Sequence, residues 1–397
     1  MSAENVILSQ LSNPCSYLRE SALGKPSLSV YESRENLYET INRLPLLLPY
    51  FKRNEVRNVD GLIEIVMTRS GPEIEGKSPE IIDRYLKTPK DDIGVLFYAE
   101  PSFRGQFLAA IGTFIETNPS HNIYFLDGIG DNTLNTKLKA LGIEIFDPLA
   151  VEREKGLDFS SSTENQVCLS VTRKVLCHLM FVEGTHCQSC RGILVSDSDI
   201  LFNDDISGAF EQVFEHGCEM GACTDCLPTR TPADVPHRDA FNKQNRTSVG
   251  GFLDIYFPHD RSALEYFFGL VLPKSIDWDT TPYFNAGLLY LRKSKRLAYL
   301  MRKVLETIQR NQEFYNYLPW KEQTMINILY PIYEVPVCLL EPSVWNFWSE
   351  RSKVMHLTGS RGPRLFRYDK HREQVDRAWS IFGESHWPVD EGVELSV

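Results

Sequence analysis

Residues 191–205 read RGILVSDSDILFNDD, and this stretch decides the fold of the chain. The apolar run at 193–195 predicts a strand that is buried on both faces. Asp197 and Asp199 follow it, and because they are two positions apart they point to the same side of an extended segment. Two carboxylates beside a buried strand are costly unless a cation pairs with them. The pattern predicts a site for a hard divalent cation, Mn2+ or Mg2+; the alternative is that the aspartates cap the turn before a helix expected near Ser207.

Strands and helices alternate on the N-terminal side of this stretch. Buried strands are predicted at residues 93–98, 121–126 and 143–146, and helices at 104–117, 131–141 and 164–181. Strands separated by helices of this length form right-handed βαβ units and a parallel sheet. We therefore predict an α/β fold with a mixed, mostly parallel sheet flanked by helices. Ligands of such sheets bind at the carboxyl ends of the strands, where Asp197, Asp199 and Glu100 all fall.

The chain divides into three predicted parts. Residues 1–90 are predicted to be an N-terminal helical extension, with two short helices within 35–53 and another at 80–87. Residues 91–369 are predicted to be the catalytic domain. Residues 370–397 are predicted to be a helical tail with a loose end.

Composition excludes several classes of protein. The chain has 397 residues, a net charge of −11 and no basic tract, which argues against a nucleic-acid binder or a protein of anionic membrane surfaces. No apolar run approaches the ~18 residues of a membrane span, and the first residues do not resemble a secretory signal. We expect a cytoplasmic protein whose nine cysteines are reduced thiols. The basic, amphipathic helix predicted at 295–310 is interpreted as a solvated face.

Several short motifs follow one another along the chain. They are Asp197-Ser198-Asp199 after a strand, Asn285-Ala286-Gly287 before a strand, Glu322-Gln323 at the start of a helix that carries Asn327, and His356 with Gly359. Arg173 lies on the helix before the aspartate strand. In this order the motifs resemble the GT-A nucleotide-sugar glycosyltransferases, in particular the retaining family 8 that includes glycogenin and bacterial galactosyltransferases. The resemblance spans about residues 92–365.

The resemblance implies a fold, an activity and a set of site residues. The implied fold is GT-A, and the implied enzyme is a hexosyl- or pentosyltransferase that moves a sugar from a UDP-sugar, with retention of configuration, to a glycan or protein acceptor. The implied metal ligands are Asp197, Asp199 and His356. The implied catalytic residues are Gln323, Glu322 and Asn285. The implied donor-binding residues are Tyr98, Ala99, Glu100, Arg173, Asp197, Ser198, Gly287, Arg361 and Arg364.

The chemistry of sugar transfer suits these residue types. A departing nucleoside diphosphate builds negative charge on its phosphate oxygens, which a divalent cation stabilises. Glycine lets the backbone approach a ligand closely, and the Asn285 amide can both donate to and accept from sugar hydroxyls. The guanidinium groups of Arg361 and Arg364 suit phosphate. The alternatives are an ordinary Asn-Gly turn, a solvated basic loop and, for His356, a core histidine.

Two departures from the family pattern leave the sugar and the acceptor open. The family usually has Asp-Gln where this chain has Glu322-Gln323, and it usually has Lys-Pro-Trp after the histidine, where this chain has SRGPR at 360–364. Should the reaction invert configuration, Glu322 or Asp279 is the candidate base.

Two other interpretations remain beside the transferase. A sugar-nucleotide nucleotidyltransferase would need a Gly-rich basic loop after the first strand, where residues 100–105 read EPSFRG. A non-catalytic interaction protein on a GT-A-like scaffold would use Cys187 and Cys190 for structural zinc, joined by Cys218 and by His186 or His216.

Overall fold

A computed structural model describes residues 17–20, 26–32, 51–59, 62–69, 78–159, 166–225, 248–257, 261–346, 352–356 and 371–384. The strands are β1 Tyr17–Glu20, β2 Pro26–Glu32, β3 Phe51–Val59, β4 Leu62–Arg69, β5 Ile93–Ala99, β6 Asn122–Asp127, β7 Glu144–Phe146, β8 Gly192–Ser196, β9 Ile200–Phe202, β10 Met220–Cys223, β11 Leu288–Arg292, β12 Val337–Leu340 and β13 Val354–His356. The helices are α1 Ser78–Lys87, α2 Arg104–Thr117, α3 Asn132–Ala140, α4 Pro148–Glu154, α5 Gln166–Val182, α6 Ser207–Glu215, α7 Val249–Tyr256, α8 Ser262–Phe268, α9 Lys295–Arg310, α10 Gln312–Tyr317, α11 Lys321–Ile332, α12 Pro342–Trp345 and α13 Arg372–Ser380.

The chain forms two compact units. The first comprises Met1–Asp83, Pro101–Glu116 and Leu357–Val397, and the second comprises Arg84–Glu100 and Thr117–His356.

The first unit contains an antiparallel sheet in the order β1-β2-β4-β3. The prediction of a helical N-terminal extension is therefore wrong for residues 17–69 wherever the structure describes them. The sequence of β4, LIEIVMTR, is rich in β-branched residues, which favour strands. Of the segment 35–53 predicted as two helices, residues 51–53 belong to β3 and the rest lies outside the described residues. The helix predicted at 80–87 is confirmed as α1.

Two helices of the first unit pack closely on each other. The indole Nε1 of Trp379 in α13 donates to the carbonyl oxygen of Gly105 in α2 at 3.0 Å. Gly112 lets the helices approach, because a Cβ there would lie 2.5 Å from the Cβ of Ala378. A helix thus occurs in the predicted C-terminal tail, although residues 385–397 lie outside the described residues.

The second unit is built on a seven-stranded sheet in the order β12-β10-β11-β8-β5-β6-β7. Strand β11 runs antiparallel to its neighbours β8 and β10, and the other neighbouring pairs are parallel. The prediction of an α/β fold with a mixed, mostly parallel sheet is confirmed. Local signals were informative here: Asp131 caps α3 by accepting from the backbone N–H groups of Thr133 and Leu134, and Gly142 has a φ of 75° just after the helix.

Helix α5 and the short ribbon β9–β13 position the site. Residues of α5 are buried against β5 and β8 on one side and against α9 and α11 on the other. Strand β13 pairs antiparallel with β9, and this pairing places His356 opposite Ile200, directly after Asp199.

No helix within the described ranges is both long enough and apolar enough to cross a bilayer.

Candidate functional site

Asp197 and Asp199 lie at the carboxyl end of β8, at the sheet edge where the sequence predicts a ligand site. Every residue of β8 is buried, so the strand ends inside the protein. The backbone N–H of Asp197 donates to the carbonyl oxygen of Gly287 at 2.8 Å, which ties the aspartates to the turn before β11. Ser198 between them is 9% exposed.

His356 joins the two aspartates. One ligand atom from each of Asp197, Asp199 and His356 lies within 4.8 Å of the other two, and the described residues contain no other such group of three metal-ligating side chains. The imidazole Nε2 of His356 is 3.3 Å from Asp199 Oδ1 and 3.7 Å from Asp197 Oδ2. The sequence therefore predicted which side chains come together, and the β9–β13 ribbon explains how they meet.

The surroundings of His356 suit a positive charge between the three side chains. Its Nδ1 lies 2.8 Å from the amide oxygen of Asn346, an acceptor, so Nδ1 carries the proton. Its buried Nε2 has no well-formed hydrogen bond to a described residue. Burial lowers the pKa of His356, but the carboxylates of Asp199 and Asp197 outweigh burial and raise it to about 9. The two carboxylates therefore favour positive charge at Nε2, and a divalent cation bound there would take the place of the Nε2 proton. Two carboxylates with one imidazole suit Mn2+ or Mg2+.

Gly287 makes room for this group. A Cβ at this position would lie 2.3 Å from His356 Cε1, 2.7 Å from Asp197 Oδ2 and 2.8 Å from Asn285 Oδ1. Real Cβ atoms do not approach this closely, so only glycine fits. Asn285 helps to shape the turn, because its Oδ1 accepts from the Gly287 N–H at 2.8 Å. Both residues therefore line the predicted site.

Lys174 is a site residue that the sequence did not single out. Its Nζ lies 2.6 Å from Asp197 Oδ1 and 3.3 Å from Glu322 Oε1. Burial lowers the pKa of Lys174, but Asp197 and Glu322 outweigh burial and raise it, so the side chain is a buried ammonium. Burial raises the pKa of Glu322, Lys174 opposes that rise, and Asp197 adds to it. The ammonium group of Lys174 thus lies between the carboxyl groups of Asp197 and Glu322.

Gln323 holds the backbone of the Asn285–Gly287 turn. Its Oε1 accepts from the Ala286 N–H at 3.0 Å, and its Nε2 donates to Asp225 Oδ2 at 2.9 Å. Asp225 follows β10, and its buried carboxylate is a second group, after Lys174, that the sequence did not indicate. Gln323 is predicted to be catalytic; its amide in this structure is bonded to protein groups, so the role that the geometry supports is positioning.

The start of α11, which carries Glu322 and Gln323, is held in an unusual backbone conformation. Trp320 and Lys321 have φ angles of 48° and 45°. Bulky residues rarely adopt this left-handed region, and such strain is typical of functional sites. Asn327, one turn farther along α11, accepts from the Phe284 N–H and donates to the Phe284 carbonyl oxygen, both at 2.8 Å.

The predicted donor-binding residues at the end of β5 form a cluster of their own. The hydroxyl of Tyr98 donates to Glu100 Oε1 at 3.0 Å, and Arg173 Nε donates to Glu152 Oε1 at 2.8 Å. Burial raises the pKa of Tyr98; Glu100 adds to this rise, and a hydrogen bond with Arg173 opposes it. Burial also raises the pKa of Glu100. The structure thus brings Tyr98, Glu100 and Arg173 together.

The remaining predicted residues have different outcomes. Ala99 is buried at the end of β5, and its carbonyl oxygen would lie 2.6 Å from a Cβ at Gly128. Arg361, Arg364 and Gly359 lie outside the described residues.

The cysteines do not form the alternative zinc site within the described part of the chain. Cys187, Cys190 and Cys218 are free thiols, and neither His186 nor His216 completes a group of three ligands with them. Cys190 Sγ instead lies 3.5 Å from the Tyr124 hydroxyl.

Comparisons with known proteins give a distant likeness of fold. No family model matches the chain, and no curated protein matches its sequence. Among solved structures, mouse xyloside xylosyltransferase 1 is 12% identical with a TM-score of 0.40 over 67% of this chain and 97% of that one. The glycosyltransferase GlyE of Streptococcus pneumoniae TIGR4 is 13% identical with a TM-score of 0.41 over 74% and 62%, and the bifunctional glycosyltransferase WbbM is 13% identical with a TM-score of 0.45 over 88% and 58%.

These matches cover less than two thirds of GlyE and of WbbM. All three proteins are glycosyltransferases, but their TM-scores lie below 0.5 and carry no argument about this chain. The function proposed below rests on the geometry of the site residues.

Proposed function

We propose that this protein is a metal-dependent glycosyltransferase that transfers a sugar from a nucleotide-sugar to a glycan or protein acceptor. The observation that carries the proposal is the group formed by Asp197, Asp199 and His356, in which Nε2 of His356 faces both carboxylates at 3.3 and 3.7 Å. The group lies at the carboxyl edge of a mostly parallel sheet, where such sheets bind ligands.

These three side chains would hold Mn2+ or Mg2+. A bound ion supplies Lewis acidity, which stabilises the charge that develops on a departing diphosphate. Asp197 would keep its second oxygen on Lys174, whose ammonium lies 2.6 Å away. Asn346 fixes the imidazole of His356 so that Nε2 is the ligand atom.

The residues of the Asn285–Gly287 turn would position the donor sugar. Gln323 and Asn327 hold this turn through hydrogen bonds to the backbone N–H groups of Ala286 and Phe284, and the absence of a side chain at Gly287 lets the backbone lie directly beside the metal group. A turn held in this way does not reorganise during the reaction, which is the condition for electrostatic catalysis.

Retention of configuration is the stereochemical course that we propose. An inverting enzyme needs a carboxylate that is available to take a proton from the acceptor. Glu322 is buried and already paired with Lys174 at 3.3 Å, which makes it a poor base. Asp279, the other candidate, is exposed on the surface.

A UDP-sugar is the donor that we propose, with Tyr98, Ala99, Glu100 and Arg173 at its nucleotide. Tyr98 offers an aromatic ring, and Glu100 and Arg173 offer charged groups at the end of β5. The resemblance in sequence to retaining GT-A enzymes supports uridine. We also propose a cytoplasmic location, which the free thiols of the described cysteines support.

A donor screen tests this proposal. The purified chain is incubated with UDP-sugars and GDP-sugars in Mn2+ or in EDTA, and release of the nucleoside diphosphate is measured, because transferases commonly hydrolyse donors slowly in water. We expect hydrolysis of at least one UDP-sugar in Mn2+ alone, lost in Asp199→Asn and kept in Asp92→Asn, a change at an exposed aspartate. Hydrolysis without metal, or equal activity in Asp199→Asn, would overturn the proposal.

A further inference from the structure

Two cysteines close a tight turn just before strand β8. The backbone N–H of Cys190 donates to the carbonyl oxygen of Cys187 at 3.2 Å, which is the hydrogen bond of a four-residue β-turn. The Cα atoms at the ends of a β-turn are less than about 7 Å apart, and a disulfide needs Cα atoms about 4.4–6.8 Å apart. We call residues 187–190 the dithiol turn. Its backbone brings the two thiols within reach of each other.

Both thiols are free and lie just beneath the surface. Cys187 is 3% exposed and Cys190 is 1% exposed, whereas Gln188 and Ser189 between them are exposed. Cys187 has a φ of 51°, a left-handed conformation that residues with a side chain rarely adopt. A strained surface turn opens more easily than the strands of a central sheet. A small oxidant can therefore reach the thiols when the turn opens, while the sheet stays folded.

The sulfur of Cys190 lies among polar groups. Asn122 Nδ2 donates to Cys190 Sγ at 3.6 Å. The hydroxyl groups of Tyr124 and Ser189 lie 3.5 and 4.0 Å from the same atom. Gly94 in β5 makes room for this sulfur, because a Cβ there would lie 3.1 Å from it. Groups that can donate to sulfur stabilise the thiolate, which is the reactive form of cysteine.

The two thiols differ in how readily they ionise. Burial raises the pKa of Cys190, and the hydrogen bonds to its sulfur oppose that rise. Burial also raises the pKa of Cys187, and there the charge of the neighbouring Cys190 adds to the rise. Cys190 is therefore the better nucleophile, and Cys187 is placed to attack a bond that forms at Cys190.

We propose that the dithiol turn is a modification site that forms a reversible disulfide by exchange with small disulfides of the glutathione type. The Cys190 thiolate attacks one sulfur of the small disulfide, which forms a mixed disulfide and releases one thiolate. The Cys187 thiolate then attacks Cys190 Sγ and releases the second thiolate. The two cysteine protons pass to the released thiolates. Two cysteines are thereby oxidised, and one small disulfide is reduced to two thiols.

The surroundings of the dithiol turn favour a disulfide over a bound metal. Among the described residues, neither Cys187 nor Cys190 belongs to a group of three ligands close enough to hold an ion. A disulfide needs the two thiols alone, and disulfides that form and break reversibly are the kind found in reducing compartments. The inference is independent of the proposed sugar transfer, because the five residues of β8, roughly 17 Å of strand, separate the turn from Asp197.

Thiol mapping tests the inference with the full-length chain. The protein is reduced, desalted and incubated with oxidised glutathione at about pH 8, near the pKa of a free thiol. N-ethylmaleimide then blocks the remaining thiols, and cleavage after Glu183 gives a peptide that contains Cys187 and Cys190 but not Cys177. Mass spectrometry of this peptide distinguishes the dithiol, the disulfide and the glutathione adducts.

Three variants accompany the wild type. Cys187→Ser and Cys190→Ser each leave one thiol in the turn, and Cys218→Ser is the matched control, since it removes a partly exposed thiol elsewhere. Circular dichroism checks that each variant is folded. The wild-type result decides the inference even where a variant fails to fold.

We expect the wild type and Cys218→Ser to form the internal disulfide without a lasting glutathione adduct, and we expect dithiothreitol to reverse it. Cys187→Ser should keep glutathione on Cys190, and the thiol left in Cys190→Ser should react roughly tenfold more slowly. Thiols that stay reduced in the folded wild type, or a glutathione adduct that persists there, would refute the modification site. Equal rates in Cys187→Ser and Cys190→Ser would refute the assignment of Cys190 as the attacking thiol.

Discussion

At the scale of single residues, Gly287 determines the shape of the candidate metal group. We predict that Gly287→Ala weakens metal-dependent UDP binding at least tenfold, because the new Cβ would sit 2.3 Å from His356 Cε1 and 2.7 Å from Asp197 Oδ2. Titration calorimetry of UDP with Mn2+ measures the change. Gly208→Ala is the matched control, since a Cβ there meets Trp345 at an ordinary 3.4 Å. Unchanged affinity in Gly287→Ala would contradict the geometry.

His178 in α5 makes stability depend on pH. It is fully buried, and neither ring nitrogen has a hydrogen-bond partner among the described residues. Burial, with a smaller effect of Lys174, lowers its pKa well below the usual value. The unfolded chain therefore binds a proton near pH 6.5 that the folded chain does not, and stability falls as pH decreases below that value.

We predict that His178→Gln removes this loss of folding stability at acid pH. Relative to the variant, the wild type should lose about 1.4 kcal/mol of unfolding free energy per pH unit below roughly pH 6. Urea denaturation of both proteins at pH 7.5, 6 and 5 measures the difference. Parallel stability curves for wild type and variant would show that His178 is protonated in the folded state.

Lys174 is a site residue that the sequence alone could not select. The sequence predicts the helix that carries it, and it selects Arg173 as the residue at the donor. Adjacent residues of a helix point about 100° apart, so the face that meets the aspartates depends on how the helix packs. In the structure Lys174 contacts Asp197, and Arg173 pairs with Glu152.

At the scale of elements, α11 holds the turn that carries Asn285 and Gly287. The Asn327 side chain bonds both the N–H and the C=O of Phe284, and all these groups are buried. We predict that Asn327→Ala costs about 3 kcal/mol of stability, since it leaves two buried backbone groups without partners. We also expect lower donor turnover, because the turn is loosened.

Tyr330→Phe provides a milder comparison on the same helix. It removes one hydrogen bond, from the Tyr330 hydroxyl to the Pro282 carbonyl oxygen, which is only partly buried. Its expected cost is about 1 kcal/mol. Thermal unfolding of the wild type and the two variants ranks their stabilities. If Asn327→Ala is as stable as Tyr330→Phe, the two hydrogen bonds between Asn327 and Phe284 do not stabilise the turn.

The central strands β5 and β8 of the large sheet were predictable because each contains a continuous apolar run between polar segments. The runs at 93–98 and 193–195 lie within β5 and β8. The ribbon β9–β13 was not predictable as a pair, since its two strands have three residues each and lie far apart in the sequence, at 200–202 and 354–356. The prediction that His356 lies beside the aspartates came from the order of the motifs along the chain. In the structure, the pairing of β13 with β9 brings these side chains together.

At the scale of the whole molecule, all the described residues of the candidate site belong to the second unit. Its side chains come from β8, α5, α11 and β13 and from the turn before β11, so the site exists only when the large sheet has assembled. These elements are far apart in the sequence, so their proximity in the fold cannot be deduced from their order along the chain. Asp225 illustrates this, because its hydrogen bond with Gln323 joins residues 98 positions apart and no local sequence pattern marks Asp225.

The central claim is that Asp197, Asp199 and His356 together hold a divalent cation. Anomalous diffraction at the manganese edge, from crystals soaked with Mn2+ and UDP, tests it most directly. The account predicts one strong anomalous peak at about 2.0–2.3 Å from a carboxylate oxygen of each aspartate and from His356 Nε2. A peak elsewhere, or no peak while these side chains keep the contacts seen here, would contradict it.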